Sequence, residues 1–344
     1  MTGIVSIHEF GHLVTAKMFG VYCSEFSIGM GPKLFSKKGK ETEFSIRAFP
    51  IGGFVSMAGD SENDLETTTD TADIPFERTL PGIAKWKRCI VMYAGIFMNI
   101  ILAIALIAGI LLNSGYYAVT NENIINEVMT DSPAQKAGLL KGDEITKISF
   151  DNGYSISPAN YLELSSFIAT YDGNGLWHLE VKRNSEIINI DVNPVLQDDS
   201  YVMGVSFGAY SYIKINLFNS FYYACDFLKS ITKLTLIALV NMFRGVGLEN
   251  LSGPVGIYNT VKEASSYGIA YYLEIVAMLS MNVGIMNAIP LPIFDGGRAF
   301  LLLIEAIIGK PLDKKVENII MTISVGLLIV LMLFVTYMDI SKLF

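Results

Sequence analysis

The amino-acid sequence predicts a polytopic α-helical membrane protein, with four transmembrane helices and one domain outside the bilayer. Of its 344 residues 51% are hydrophobic and only 17% charged, a balance that water-soluble chains of this length do not show. Three windows, Ile90–Leu112, Ile275–Phe294 and Ile319–Met338, carry no charge and reach the ~20 apolar residues that cross a hydrocarbon core of ~30 Å. A fourth apolar segment, Met1–Phe19, contains His8, Glu9, His12 and Lys17. Ionisable groups at membrane depth are costly enough to read as functional.

The first segment is expected to remain as a span, because its opening residues lack the basic region of a cleavable signal. The second is anchored at the interface by Trp86, Lys87 and Arg88. Between these two, Gly20–Cys89 holds Lys33, Lys37, Lys38, Lys40, Arg47, Arg78, Lys85, Lys87 and Arg88, and the third window is followed by Arg298, Lys310, Lys314 and Lys315. Short basic loops stay cytoplasmic, so both termini and the long Asn113–Ser266 segment are expected outside. Phe221–Phe243 is interrupted by Asp226, Lys229 and Lys233 and reads as an amphipathic helix lying in the interface.

Composition also limits the partners. A formal charge of −8 argues against nucleic acid held through phosphates. Cys23, Cys89 and Cys225 are isolated in the sequence and suggest neither a disulfide framework nor a zinc ribbon.

The chemistry is concentrated in the first helix. His8-Glu9-Phe10-Gly11-His12 is an HExxH pattern, which on a helix projects two imidazoles from one face toward a single metal ion, with the glutamate within reach of the reacting water. Zinc in such a site supplies Lewis acidity, which brings water to a near-neutral pKa and polarises a peptide carbonyl. Glu9 then takes up the proton and returns it, which is amide hydrolysis. Catalytic zinc takes three protein ligands, so a His, Glu or Asp is needed at the same depth. Asn287–Gly297 meets the need: Pro290 and Pro292 end a helix, Gly296 and Gly297 permit a tight turn, and a metal compensates the otherwise costly Asp295. With four spans, the first and third run in the same direction, and His8, His12 and Asp295 converge toward the cytoplasmic side. A fifth span would separate them. His178, beside Trp177, is expected to take no part.

With these residues in view, the chain resembles the bacterial site-2 proteases, intramembrane zinc metalloproteases of the RseP and RasP type. The resemblance runs nearly end to end: HEFGH, FSIGMGPKLF at Phe26–Phe35, PIGGFVSM at Pro50–Met57, an AGxxxN element at Ala94–Asn99, LSGPVGI at Leu251–Ile257 and NAIPLPIFDGG. Phe294 stands where the family usually has leucine before the aspartate. The resemblance implies Zn2+ bound by His8, His12 and Asp295, Glu9 as catalytic base, and Asn287 hydrogen-bonding substrate or oxyanion. It also implies a membrane-associated β element that clamps substrate near the active site. Phe35–Ser56 fits this element, with Gly52, Gly53 and Phe54 as candidate substrate contacts along a strand edge. Pro290 and Pro292 are further candidates. A plain stabilising hairpin is the alternative. Asp60–Asp73, acidic and polar, reads as a solvated flexible loop.

Tyr117–Phe207, with its SPAQKAGLLKGDEITKI run, resembles the PDZ domains of bacterial envelope proteases and gives an extracytoplasmic α+β PDZ-like domain. The division expected is residues 1–112 for the first membrane part, 113–210 for the PDZ-like domain, and 211–344 for the interfacial helix and second membrane part. The PDZ-like domain either captures a newly made chain end or excludes bulky ectodomains, and the sequence leaves both open.

The implied setting is the bacterial cytoplasmic membrane. The implied substrates are single-span proteins, such as anti-sigma factors or remnant signal peptides, trimmed beforehand by a site-1-type protease. An inactive PDZ-bearing scaffold is the rival and needs no zinc. A metal transporter is weaker, since no inverted repeat is visible.

Overall fold

The structure, a computed structural model, describes residues 1–60, 74–119, 123–171, 173–197, 200–208, 211–243, 253–310 and 314–341. In chain order they form α1 (Thr2–Met18), β1 (Cys23–Lys38), β2 (Glu43–Met57), α2 (Lys85–Ser114), β3 (Tyr116–Val119), β4 (Ile125–Val128) and α3 (Pro133–Ala137). Next come β5 (Glu144–Phe150), β6 (Ser155–Ile156), α4 (Tyr161–Ile168), β7 (Trp177–Arg183), β8 (Glu186–Val192), β9 (Val195–Gln197), β10 (Ser200–Val202), β11 (Val205–Phe207) and β12 (Ser211–Lys214). Five helices finish the chain: α5 (Leu217–Phe243), α6 (Pro254–Ser266), α7 (Ile269–Ala288), α8 (Asp295–Ile308) and α9 (Lys314–Ser341). All of the Asp60–Asp73 run except Asp60, and the first two residues of LSGPVGI, lie outside the described residues. The chain forms two compact units, Met1–Leu106 with Val261–Phe334, and Ile107–Thr260 with Val335–Phe344.

Among the described residues three helices are long and apolar enough to cross a bilayer: Lys85–Ser114, Ile269–Ala288 and the Ile319–Asp339 part of α9. The first and last coincide with charge-free windows. The middle one corrects the expected Ile275–Phe294 span. It starts earlier because an α-helix accommodates Glu274, and it stops at Ala288. Ile289 precedes Pro290 and is extended (φ −63°, ψ 139°), as the proline ring requires of its predecessor. The chain then does not make a tight turn behind Asp295. Asp295 begins α8, and Gly296 and Gly297 sit in that helix's first turn. α1 has 17 residues, which at ~1.5 Å each is about 25 Å.

In the first unit, the buried side of α1 is Ile4, His8, Gly11, His12, Leu13 and Ala16, so the face that carries both imidazoles is the one turned inward. Leu13, Ala16, Val21, Cys23, Phe26, Val55, Met57, Leu80, Ile83 and Val91 make a core shared by α1, the β element and α2. β1 and β2 form a two-stranded sheet that doubles back. Glu25–Ile28 is paired with Gly53–Ser56 and also lies in register with Glu43–Ile46, while Phe35–Lys38 pairs with Glu43–Ile46. Among the described residues no further strand joins this sheet.

The second unit is built on the sheet β6-β5-β7-β8. Trp177, Leu179 and Val181 of β7 alternate into the core with the period of 2 of a half-buried sheet. Ile148 and Phe150 of β5 do the same, and Ile145 joins them across a register shift in β5; Leu164 and Phe167 of α4 complete this core. α4 is capped by Asn160, whose side chain accepts from Glu163 N–H, while Glu163 accepts from Ala159 N–H. α5 docks on this domain. Leu234 and Ile237 pack against its core, Ser230 bonds Asn160 at 3.0 Å, and Lys233 pairs with Glu163 at 2.5 Å. Lys233, which interrupts the hydrophobic pattern, thus meets a carboxylate on the neighbouring helix.

On the face of the same sheet, both nitrogens of His178 meet carboxylates, Nε2 with Asp151 at 2.6 Å and Nδ1 with Asp191 at 2.7 Å. Only the imidazolium donates at both positions. The bond to Asp191, followed by the bond to Asp151, raises the histidine's pKa above its ordinary value. A raised folded-state pKa contributes stability that is fully present below the unfolded value of ~6.5 and is lost as pH rises through the folded value. The difference in thermal midpoint between the full chain and His178→Gln is therefore expected to shrink as pH rises above ~6.5. A pH-independent difference would contradict the imidazolium clamp.

Candidate active site

α1 positions the first two donors. His8 and His12 are one turn apart and only 6% and 5% exposed. Asp295, the first residue of α8, completes a cluster with them: His8 Nε2 is 2.8 Å from Asp295 Oδ2, His12 Nε2 is 3.3 Å from the same oxygen, and the two Nε2 atoms are 3.1 Å apart. Ligand atoms of a tetrahedral zinc site, ~2.0–2.1 Å from the ion, stand about 3.3 Å from one another. The three donors thus fit one small ion. Among the described residues no other group of three His, Cys, Asp or Glu is so arranged.

α2 holds the imidazoles from behind. Val91, Gly95 and Asn99 lie four residues apart on one stripe of this helix. The carbonyl of Val91 is 2.7 Å from His12 Nδ1, so this nitrogen donates to it and leaves Nε2 with its lone pair toward the cluster. Asn99 is 3.2 Å from His8 Nδ1. Between them, a Cβ on Gly95 would stand 2.5 Å from His12 Nε2 and 2.6 Å from His8 Nε2, so glycine is what lets the helices approach. Gly11, within HEFGH, is matched to α2 in the same way, since its Cβ would stand 2.5 Å from the Ala94 carbonyl.

Glu9, His12 and Asp295 open on a cavity of about 250 Å³, whose other walls include Gly53, Phe54, Val55, Asp60 and Arg298. Val55 N–H donates to the Glu9 carboxylate, which ties β2 to the residue beside the first histidine. Phe54 is held by Arg47, whose guanidinium is 4.9 Å from the ring centroid and itself pairs with Glu25 at 3.0 Å. Arg298, one turn along α8 from Asp295, pairs with Asp60, which is 2% exposed. This buried pair links α8 to the end of the β element.

Of the residues singled out from sequence, His8, Glu9, His12, Asp295, Gly53 and Phe54 thus come together. Gly52, Pro290, Pro292 and Asn287 do not line this cavity. Gly52 holds a left-handed turn (φ 74°) that favours glycine. Pro290 and Pro292 shape the α7–α8 connection, and Asn287 occupies the last turn of α7. There its carbonyl would be 2.8 Å from a Cβ on Gly296, so this glycine permits the close fold-back that delivers Asp295. Sequence reasoning assigned no site role to Val91, Asp60 or Arg298, and held Gly95 and Asn99 only as members of the AGxxxN element, without a contact or a function. The signal for Val91, Gly95 and Asn99 was present in their i, i+4 spacing, which matches that of the two histidines.

The profile described as Peptidase family M50 matches residues 1–331. Among curated proteins, one from Clostridium perfringens named as a candidate zinc metalloprotease is 33% identical over 98% of this chain and 96% of its own length. The regulator of sigma-W protease RasP of Bacillus subtilis is 30% identical over 99% and 96%. A zinc metalloprotease RasP of Shouchella clausii is 31% identical over 99% and 97%.

Proposed function

The chain belongs to peptidase family M50, and on that premise we propose how this zinc metalloprotease of the bacterial membrane selects and cuts its substrate. The reading is an intramembrane endopeptidase of the site-2 type, hydrolysing peptide bonds within the membrane segment of single-span proteins. One observation carries it: His8 and His12 on the buried face of α1 meet Asp295 of α8 in a three-donor cluster beside Glu9, facing a cavity walled by Gly53–Val55 of β2.

His8, His12 and Asp295 would hold a zinc ion, which when bound would supply Lewis acidity to water and to the scissile carbonyl. Glu9 accepts the proton from water and delivers it to the departing amide nitrogen. A peptide bond in a membrane helix is shielded by its own backbone hydrogen bonds, so the substrate must be drawn out as an extended strand. Gly53–Val55 offers that strand a partner by β-addition. Asn287, in the last turn of α7 before the connection that delivers Asp295, is the residue proposed to hydrogen-bond substrate or oxyanion.

α1 is the fourth span, both termini and the small domain lie outside, and the catalytic cluster lies toward the cytoplasmic side. The small domain is PDZ-like. Its cavity of about 400 Å³, between α4 residues Tyr161, Ser165 and Ile168 and the Val205–Phe207 strand, suits an extended peptide, as chain-end capture requires. The Bacillus subtilis relative is named a regulator of sigma-W protease, which supports an anti-sigma factor as substrate, trimmed first by a site-1-type protease.

The test is cleavage in reconstituted vesicles of one single-span substrate in two forms, with its ectodomain intact and with it removed. Cleavage of the trimmed form alone is expected. Equal turnover of both forms would count against dependence on prior trimming.

A further inference from the structure

The stripe of α2 behind the histidines contains one polar side chain. Asn99 is fully buried, at 0% exposed. Its Nδ2 lies 3.2 Å from His8 Nδ1, and its Oδ1 has no hydrogen-bond partner. A neutral imidazole has one proton. His8 presents Nε2 to Asp295 and His12, so as a zinc ligand through Nε2 it carries its proton on Nδ1. That proton needs an acceptor, which an NH2 group is not. Carboxamide oxygen and nitrogen are interchangeable by a half-turn of the side chain, and the hydrogen-bond network decides between them. The turn breaks no bond made by Oδ1, which has none, and it replaces an NH2 group facing the Nδ1 proton with an acceptor.

From this geometry we infer that Asn99 is a positioning residue for the zinc site: its carboxamide oxygen accepts the His8 Nδ1 proton and thereby fixes the tautomer and ring orientation that point Nε2 at the ion. The inference rests on the reading of His8 as a zinc ligand. Its energetic role follows from the general behaviour of ligating histidines, whose second nitrogen donates to an acceptor that holds the ring and increases its basicity. Asn99 also meets α7, but through its backbone carbonyl, which accepts from Ser280 Oγ at 2.9 Å. A change of side chain leaves that contact in place.

The experiment is zinc affinity of the purified full-length protein, by competition with a chromophoric chelator, for the wild type, His8→Ala, Asn99→Leu and Asn99→Asp. Leucine keeps the bulk without an acceptor, and aspartate keeps the shape with acceptors only. Asn99→Leu is expected to weaken zinc binding about 10–100-fold, and Asn99→Asp to retain it. Imidazole 15N spectra of the zinc-loaded wild type give a second readout that no substitution disturbs. The chain has only three histidines, and His8 is expected to be protonated at Nδ1. Equal affinity in Asn99→Leu and wild type, or a His8 protonated at Nε2, would overturn the role of Asn99. Wild-type affinity retained in His8→Ala would instead overturn the zinc-ligand reading, and this inference with it.

Discussion

Glu9→Gln is expected to keep its zinc and lose peptide cleavage by about 10²–10⁴-fold, the usual contribution of a positioned proton acceptor. Glutamine has the same size and still accepts a hydrogen bond from Val55 N–H, the contact that Glu9 makes with β2. The three donors proposed to hold zinc are His8, His12 and Asp295, so the substitution removes none of them. What it removes is the ability to hold a proton between attack and departure of the amine. Zinc content by atomic emission, measured beside cleavage rate, separates this outcome from a general loss of structure. Loss of zinc together with activity would mean that Glu9 supports the fold of the site rather than its chemistry.

Gly95→Ala is expected to be as damaging, although it touches no chemical group. The added Cβ would lie 2.5–2.6 Å from both imidazole Nε2 atoms, well inside van der Waals contact, so α1 and α2 must separate or the rings must turn. Overpacking of this kind costs about 1–3 kcal/mol, and a displacement of ~1 Å at a reacting centre costs ~10²-fold in rate. Cleavage is therefore expected to fall at least ~100-fold, with weakened zinc binding. Gly109 in the same helix is the control: nothing lies within 4 Å of a Cβ placed there. Alanine at that position should leave activity unchanged and gain up to ~1 kcal/mol of helix propensity. Equal activity in both variants would contradict the close packing of the two helices.

The sequence made these elements legible to different degrees. Ile90–Leu112 and Ile319–Met338 are read directly from hydropathy, because an apolar solvent demands an uninterrupted apolar helix. The absence of charge does not mark the boundaries of the third span, which runs from Ile269 to Ala288 rather than from Ile275 to Phe294. Backbone geometry ended it instead, at the residue before Pro290, and Glu274 lies within it. HEFGH was legible because its two candidate donors, His8 and His12, stand one helix turn apart. Asp295 was legible from the cost of an isolated carboxylate at that depth, whereas its place at the start of α8 was not, since two prolines announce a stop and say nothing of the restart.

Gly95 and Asn99 are marked in the sequence by the AGxxxN element, but their purpose is not legible there. Within an apolar window a glycine and an asparagine look like lapses in hydrophobicity, and only α1 packed against them gives them a purpose. The doubled-back β1–β2 sheet and the Asp60–Arg298 pair depend on contacts between distant segments. Local pattern carries no record of those.

Zinc held by His8, His12 and Asp295 is proposed to cut peptide bonds inside membrane segments. The most direct test of this is the product mass from a pre-trimmed single-span substrate, incubated with the wild type before and after zinc removal by a chelator, and again after zinc is restored. One cut within the apolar segment is expected, lost with the metal and regained with it. A cut confined to the flanking soluble residues, or one unaffected by zinc removal, would contradict the proposal.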